Sequence, residues 1–548
     1  MSKKLFKEIV PICIILLLSV FLRFVSLDNI PAGLYVDEAS LGYNAYSLLN
    51  TGKDEYGQPF PIFLRSFGDF KPALYAYFTT IPIALFGLNI FSIRFLSALS
   101  GTFLVLITYL ILKRSKIRHN SSLAILSALV LSLSPWAIFQ SRVAVEANFA
   151  LIIFATSMFF FILSIKRIIF FIPATATLAF SAYAYHAERV LSFVFLILII
   201  IVFKKNFIKN KKIIFIGIII FFLISLPQLL LLTTPGSLQR FNTQGFTQKQ
   251  TFEKYGGTFK KILVFGRSLY ILNKFSSQYI SSYSPRSLFF EAENQSFRSM
   301  PDMSVFYFWM IIPFFLGIKY VYYNRTDSVI KLIFLCIAFG SLPAALTGDP
   351  FYTLRMLPTL WGISILISFG LFNLLQIFHL KLIKYSLGIF LGLISCLMLY
   401  MSYFIIFKSE RSSSFGYPYL EVANLSEKLK DQSFVLDTEI YDAPYILMAT
   451  YKKTEPYQLQ KQTNPQVLRN YYTNVDFNKY RKIDNIDIRN IRWDIDQCAN
   501  EIIVTDDATL SKDQAKDHAF TLSYEFKDLL GKTILYGYST NPQLKCAP

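Results

Sequence analysis

The chain has 548 residues, of which 54% are hydrophobic, 17% aromatic and only 16% charged, with a mean hydropathy of +0.44. Soluble domains average about 25% charged residues, and the apolar residues here gather in runs near the roughly twenty that a helix needs to cross a bilayer, so a soluble enzyme is excluded and a polytopic membrane protein expected. The net charge of +19 lies in short turns between those runs and not on one basic face with stacking aromatics, which excludes a nucleic-acid partner.

The first apolar run, 9–26, has the basic start of a signal peptide. Ser26-Leu27-Asp28 offers no small-x-small cleavage site, so it reads as a retained first helix. Further spans are expected at 93–112, 122–140, 147–165, 168–186, 188–203, 213–232, 304–322, 329–347, 355–377 and 385–407, about eleven in all. The Lys/Arg-rich turns at 3–8, 113–118, 166–167, 204–212, 319–331 and 381–384 contain only Glu8 and Asp327 as acids. The positive-inside rule then puts the N-terminus in the cytoplasm, and an odd number of spans puts the C-terminus outside a plasma (cytoplasmic) membrane.

Three segments fall on the outer side. Residues 27–92 hold amphipathic pieces at Ala39–Leu49 and Pro72–Leu85, and residues 233–303 hold a basic patterned segment, Phe259–Phe275, suited to an interfacial helix. Residues 408–548 have balanced charge and read as a small external α/β domain. Its strands are expected at Ser433–Asp437, Glu501–Thr505, Ala519–Phe526 and Thr533–Tyr538, and its helices at Ala443–Tyr451, Asn464–Tyr472 and Leu510–Lys516. Residues 1–407 form the other domain. Of five cysteines, Cys13, Cys336 and Cys396 fall in spans as packing residues, whereas Cys498 and Cys546 would form a disulfide where the tail faces an oxidising space.

Charged residues crowd the first loop, in YVDEASLGYNAY and RSFGDFKPALYAY. A carboxylate at Asp37 or Glu38 on the edge of an apolar cavity would be desolvated and suited to a general base. Asp37 would equally cap a helix starting near Glu38. Asp69 and Lys71-Pro72 form a second cluster: Lys71 before a proline-initiated helix makes a seat for phosphate, while Gly68-Asp69 is also ordinary turn chemistry. Tyr43 and Arg65 belong to the same stretch as candidate cavity residues. At later outer mouths stand Arg142 and Glu146, four apart as a helical pair would be; His186, Glu188 and Arg189; and Arg355 after Thr347-Gly348-Asp349-Pro350, with Asp349 as an alternative partner for it. Arg240 is a weaker candidate of the same kind. Fixed cations of this sort hold a phosphate and stabilise its charge as it leaves. A phosphate leaving group needs no general acid, so one carboxylate suffices. There is no P-loop, no GxGxxG after a strand and no HExxH.

In this order the motifs VDEASLGYNAY, GDFKPALYAY, FSIRFLSALSG with Arg94, SRVAVEAN, AYAYHAERV and DPFYTLRMLP resemble the GT-C membrane glycosyltransferases, specifically bacterial relatives of protein O-mannosyltransferases and of the lipid A aminoarabinose transferase. The resemblance covers roughly residues 1–407. It implies inverting transfer of a single sugar, mannose or another hexose or pentose, from a polyprenyl-phosphate donor to a protein, lipid or glycan acceptor on the external face. Carried over by motif, Asp37 would be the base, Lys71 with Arg142, Arg189 or Arg355 would hold the donor phosphate, and Glu146 would be a second acidic site. The acid before Lys-Pro is displaced by one residue here, as Asp69-Phe70-Lys71, and no lumenal trefoil domain is present. No cofactor is implied, and a divalent metal is left open. The rival readings are a glycan polymerase or ligase centred on residues 233–303, and a transporter or flippase, which would favour mid-membrane charges and internal repeats.

Overall fold

The computed structural model describes residues 3–231, 234, 260–439, 443–473 and 477–543. It forms two compact units, Met1–Val25 with Ser97–Ser402 and Ser26–Leu96 with Tyr403–Pro548. Arg240 lies outside the described residues.

The first unit is helical. Among the described residues of the whole chain, six helices are long and apolar enough to cross a membrane: Ile90–Leu112, Glu146–Ser164, Lys204–Leu231, Ser328–Ala345, Leu357–Ile377 and Lys381–Glu410. Asn120–Leu133 and Pro135–Arg142 add a seventh if taken as one span bent by 57°. Leu74–Phe86, Ile168–Ser181 and Phe308–Tyr323 are apolar but shorter. The expected count of eleven is therefore not confirmed. Hydropathy reads straight through backbone breaks such as Ser134-Pro135, where the proline opens a new helix, and the 3-10 turn Ile168–Phe170.

The first expected span is the helix Lys3–Phe24. Its buried Arg23 donates to Ser19 Oγ (2.8 Å) and to Ser141 Oγ (3.2 Å). Gly101 makes room for this group, because a Cβ there would stand 1.9 Å from Ser141 Oγ and 2.8 Å from Arg23 Nε. A buried guanidinium is tolerable only with such partners. The interfacial-helix expectation at Phe259–Phe275 falls on the helix Lys260–Ser281. There Gln278 donates to Gly348 O at 2.8 Å, while Leu269 and Leu272 remain exposed.

The second unit joins the first loop to the tail. In the loop, β1 (Phe63–Ser66) and β2 (Asp69–Pro72) form an antiparallel hairpin. In the tail, β3 (Ser433–Leu436), β4 (Arg481–Ile483), β5 (Ile486–Ile488), β6 (Glu501–Thr505), β7 (Thr521–Lys527) and β8 (Thr533–Ser539) form one sheet in the order β4-β5-β3-β6-β8-β7. The parallel pair β3 and β6 carries Phe434, Val435, Ile503 and Val504, all buried, as central strands covered on both faces require. The edge strand β7 is largely exposed and carries Glu525 and Lys527, charges that discourage pairing with another chain. The four expected strands are present within a residue or two. The strands β4 and β5 escape a sequence reading because three residues show no alternation. The helix expected at Asn464–Tyr472 shrinks to Pro465–Arg469, since Tyr471 and Tyr472 are drawn into contacts with the first loop. Cys13, Cys336 and Cys396 are free and Cys498 is disulfide-bonded; Cys546 lies outside the described residues.

Candidate active site

Helix Val36–Thr51 starts with Tyr35 as its cap residue. The carboxylate that reaches back to the Tyr35 N–H, at 3.1 Å, is Glu38. This corrects the reading of Asp37 as the cap. Glu38 is 0% exposed and accepts from Arg94 Nε at 2.8 Å and Nη2 at 2.9 Å. The same Arg94 donates to the carbonyls of Leu27 (3.1 Å), Pro31 (2.9 Å) and Gly33 (2.6 Å). Gly33 has φ +84, and a Cβ there would meet Phe415 O at 2.3 Å, so only glycine fits. Glu38 and Arg94 thus tie down the backbone that leads into the helix. Asp37, one position earlier and pointing elsewhere around the helix, keeps a side chain 42% exposed.

Residues Phe67 (φ 51) and Gly68 (φ 79) make the two-residue turn between β1 and β2, the left-handed pair that a tight hairpin needs. Lys71-Pro72 close β2 and a helix begins only at Leu74. The expected helix N-terminus at Lys71 is therefore corrected to a strand, and the lysine acts by its own charge. Its side chain is only 3% exposed, its ammonium is ion-paired with the Asp37 carboxylate, and it lies 5.2 Å from the Phe67 ring centroid. Asp69 accepts the Phe70 N–H at 2.7 Å at the end of the hairpin turn.

The tail holds this hairpin in place. Arg65 donates to Tyr471 O (3.0 Å), its backbone N–H to Tyr471 Oη (2.9 Å), and its guanidinium lies over the Tyr56 and Phe70 rings. Tyr43, fully buried, donates to Thr454 O at 3.0 Å. The sequence reading passed over Asp54 and Glu55, whose surroundings, TGKDEYGQPFP, look like a solvated turn. Both are buried. Asp54 accepts from the Tyr471 hydroxyl and from the N–H groups of Tyr56 (3.0 Å) and Gln58 (2.8 Å). Glu55 accepts from Asn44 Nδ2 (3.0 Å) and the Tyr445 hydroxyl (2.9 Å).

Burial pushes Asp54 up to about 6 and Glu55 up to about 7, the hydrogen bonds opposing the shift. Folded-state values above the unfolded ones mean that the folded chain keeps protons the unfolded chain has already lost. Stability from this pair is greatest below about pH 4 and falls as pH rises toward 7. The expected result is a Tm that drops over that window by an amount worth a few kcal/mol, with the drop reduced in Asp54→Asn/Glu55→Gln. Thermal scans of both proteins across the window check it, and parallel curves would refute it.

In the first unit, Arg142 ends helix Pro135–Arg142, and Val143 and Val145 are extended before helix Glu146–Ser164 begins. Arg142 and Glu146 are therefore not a pair along one helix. The buried Arg142 donates to Leu22 O (2.9 Å) and Val25 O (2.7 Å), carbonyls at the end of helix Lys3–Phe24 and just beyond it. Glu146 opens its helix, where a negative charge is favoured. His186 and the half-buried Arg189 stand in the first turn of helix His186–Val202.

Arg355 closes a 3-10 turn and lies 4.4 Å from the Tyr352 ring centroid; Arg298 lies 3.8 Å from the same centroid. Asp349, weighed above as a partner for Arg355, pairs with Arg298 at 3.0 Å, and Arg298 also meets Glu293 at 3.0 Å. Burial pushes Glu293 up to about 7 against the pull of Arg298. Neither Glu293 nor Arg298 was picked out from sequence, where Glu293 and Arg298 stand in an unpatterned polar stretch. Among the described residues, no group of three or more His, Cys, Asp or Glu is placed to hold a metal ion.

Residues 13–237 match the dolichyl-phosphate-mannose-protein mannosyltransferase family, PMT. No curated relative matches the chain. The crystal structure of ArnT from Cupriavidus metallidurans in the apo state is similar over 98% of both chains, with a TM-score of 0.53 at 11% identity. The same protein bound to undecaprenyl phosphate is similar over 96% of this chain and 97% of its own, with a TM-score of 0.50 at 12% identity. The archaeal oligosaccharyltransferase AglB from Archaeoglobus fulgidus, in complex with an inhibitory peptide and a dolichol-phosphate, matches over 82% of this chain and 64% of its own (TM-score 0.50, 12% identity). At these identities the likeness is one of fold. The family match covers residues 13–237, under half of the chain, and the likeness to ArnT extends that fold over nearly its whole length.

Proposed function

We propose that the protein transfers a single sugar from a polyprenyl-phosphate donor to an acceptor hydroxyl, with inversion, at the external face of the cell membrane. The observation that carries this reading is the ion pair between the half-exposed Asp37 carboxylate and the buried Lys71 ammonium. Asp37 takes the proton of the acceptor hydroxyl as its oxygen bonds to C1 of the sugar. The C1–O bond to phosphate breaks on the opposite side, and the polyprenyl phosphate leaves with its charge stabilised by Lys71. A single displacement inverts C1. Glu38, engaged with Arg94, is a positioning residue.

The reading is tested with purified protein, a panel of polyprenyl-phosphate sugars and membrane extract as the acceptor source. Consumption of one donor, with release of polyprenyl phosphate, is expected; no consumption of any donor would remove the transferase reading. The external placement rests on the charge bias of the turns and on the disulfide at Cys498, a bond of oxidising compartments. In intact cells a membrane-impermeant maleimide is expected to label Cys498 only after reduction, and failure to label it after reduction would put the tail inside.

A further inference from the structure

Three of the chain's basic turns converge. Arg114 and Lys116 follow helix Ile90–Leu112, Lys166 follows helix Glu146–Ser164, and Asn324, Thr326 and Asp327 precede helix Ser328–Ala345. Within the first unit they line a cavity of about 450 Å³. Its wall includes Ile117, Ile162 and Val329, all buried.

Among the described residues, the only acid in this lining is Asp327, and its oxygens are already engaged. Oδ1 accepts the N–H groups of Val329 (2.8 Å) and Ile330 (3.3 Å), and Oδ2 accepts the Lys116 N–H (2.8 Å). The neighbouring Lys113 is neutralised by Glu8 at 2.7 Å. Among the described residues no acid is ion-paired with Arg114, Lys116 or Lys166. Three cations therefore face one cavity against a single carboxylate whose oxygens are held by backbone N–H groups, an excess of positive charge beside the amide of Asn324 and the hydroxyl of Thr326.

We propose that this cavity binds the phosphodiester headgroup of an anionic phospholipid from the leaflet on the side of the basic turns. Basic pockets between spanning helices at headgroup depth suit this chemistry. Inorganic phosphate shares the charge but has nothing to place against the apolar wall, whereas a phospholipid has its glycerol and acyl chains. The exposed bases alone would describe a solvated turn. Their convergence on a cavity with an apolar wall is what favours a lipid. The proposal rests on residence in a membrane and is independent of the transferase reading.

The test uses the full chain in nanodiscs of phosphatidylcholine, with phosphatidylglycerol added. The expected result is a Tm raised by several degrees and phosphatidylglycerol retained in native mass spectra. Arg114→Gln/Lys116→Gln/Lys166→Gln is expected to lose both effects while matching the wild type in phosphatidylcholine alone. If the triple variant does not fold, each single variant is expected to weaken retention severalfold. Equal protection and retention in wild type and variants would overturn the site, and inorganic phosphate protecting as well as phosphatidylglycerol would overturn the lipid assignment.

Discussion

Asp37→Asn is expected to abolish sugar transfer, by at least about 100-fold in kcat as general-base removal does, while expression and membrane insertion stay at wild-type level. The amide has nearly the shape of the carboxylate and leaves the Glu38–Arg94 anchor of the same helix untouched. What it loses is the ability to take a proton and the ion pair with Lys71. The two losses can be separated. Lys71→Gln removes the cation but keeps the base, so it should raise the donor KM as well as lower kcat, whereas Asp37→Asn should act mainly on kcat. Donor-consumption assays at varied donor concentration measure both. Full activity of Asp37→Asn would end its assignment as the base.

The largest stability effect is expected at Arg94. Arg94→Met leaves the fully buried Glu38 without its partner and strips donors from the carbonyls of Leu27, Pro31 and Gly33. Breaking one side of a buried ion pair costs about 3–5 kcal/mol, enough to threaten folding of the whole second unit. Glu38→Gln should cost less, because the amide still receives one hydrogen bond from Arg94. In the Arg94→Met/Glu38→Gln double variant the costs should fall short of additive by about 0.5–3 kcal/mol, the coupling of residues in direct contact. Thermal inactivation of the four proteins in the cycle measures this, and strict additivity would show that the pair is not one unit.

The candidate site was only partly readable along the chain. The cluster from Asp37 to Lys71 stood out because ionisable residues among Tyr, Phe and Pro beside a membrane are conspicuous whatever their neighbours in space. Asp54 and Glu55 did not, since the groups that make them unusual, Tyr471 and Tyr445, lie about four hundred residues further on. Arg298 was hidden for a related reason: Glu293 is near it in sequence, but its other partners, Asp349 and Tyr352, lie beyond two intervening helices. Lys71 stood out as a cation beside an expected helix terminus that is in fact the end of a strand, because Lys-Pro fits either.

Composition and periodicity by themselves determined that this is a membrane protein with a strand-rich tail, because apolar run length and two-residue alternation are local properties of the chain. They also located the acids and bases of the first loop. Which of two adjacent carboxylates stays half open and which is sealed against a guanidinium fifty-six positions away was decided only by the tertiary structure. So was the packing of the tail's tyrosines onto the hairpin that carries Lys71. Burial and pairing depend on distant segments meeting in space, and that information is not carried by any one stretch of sequence.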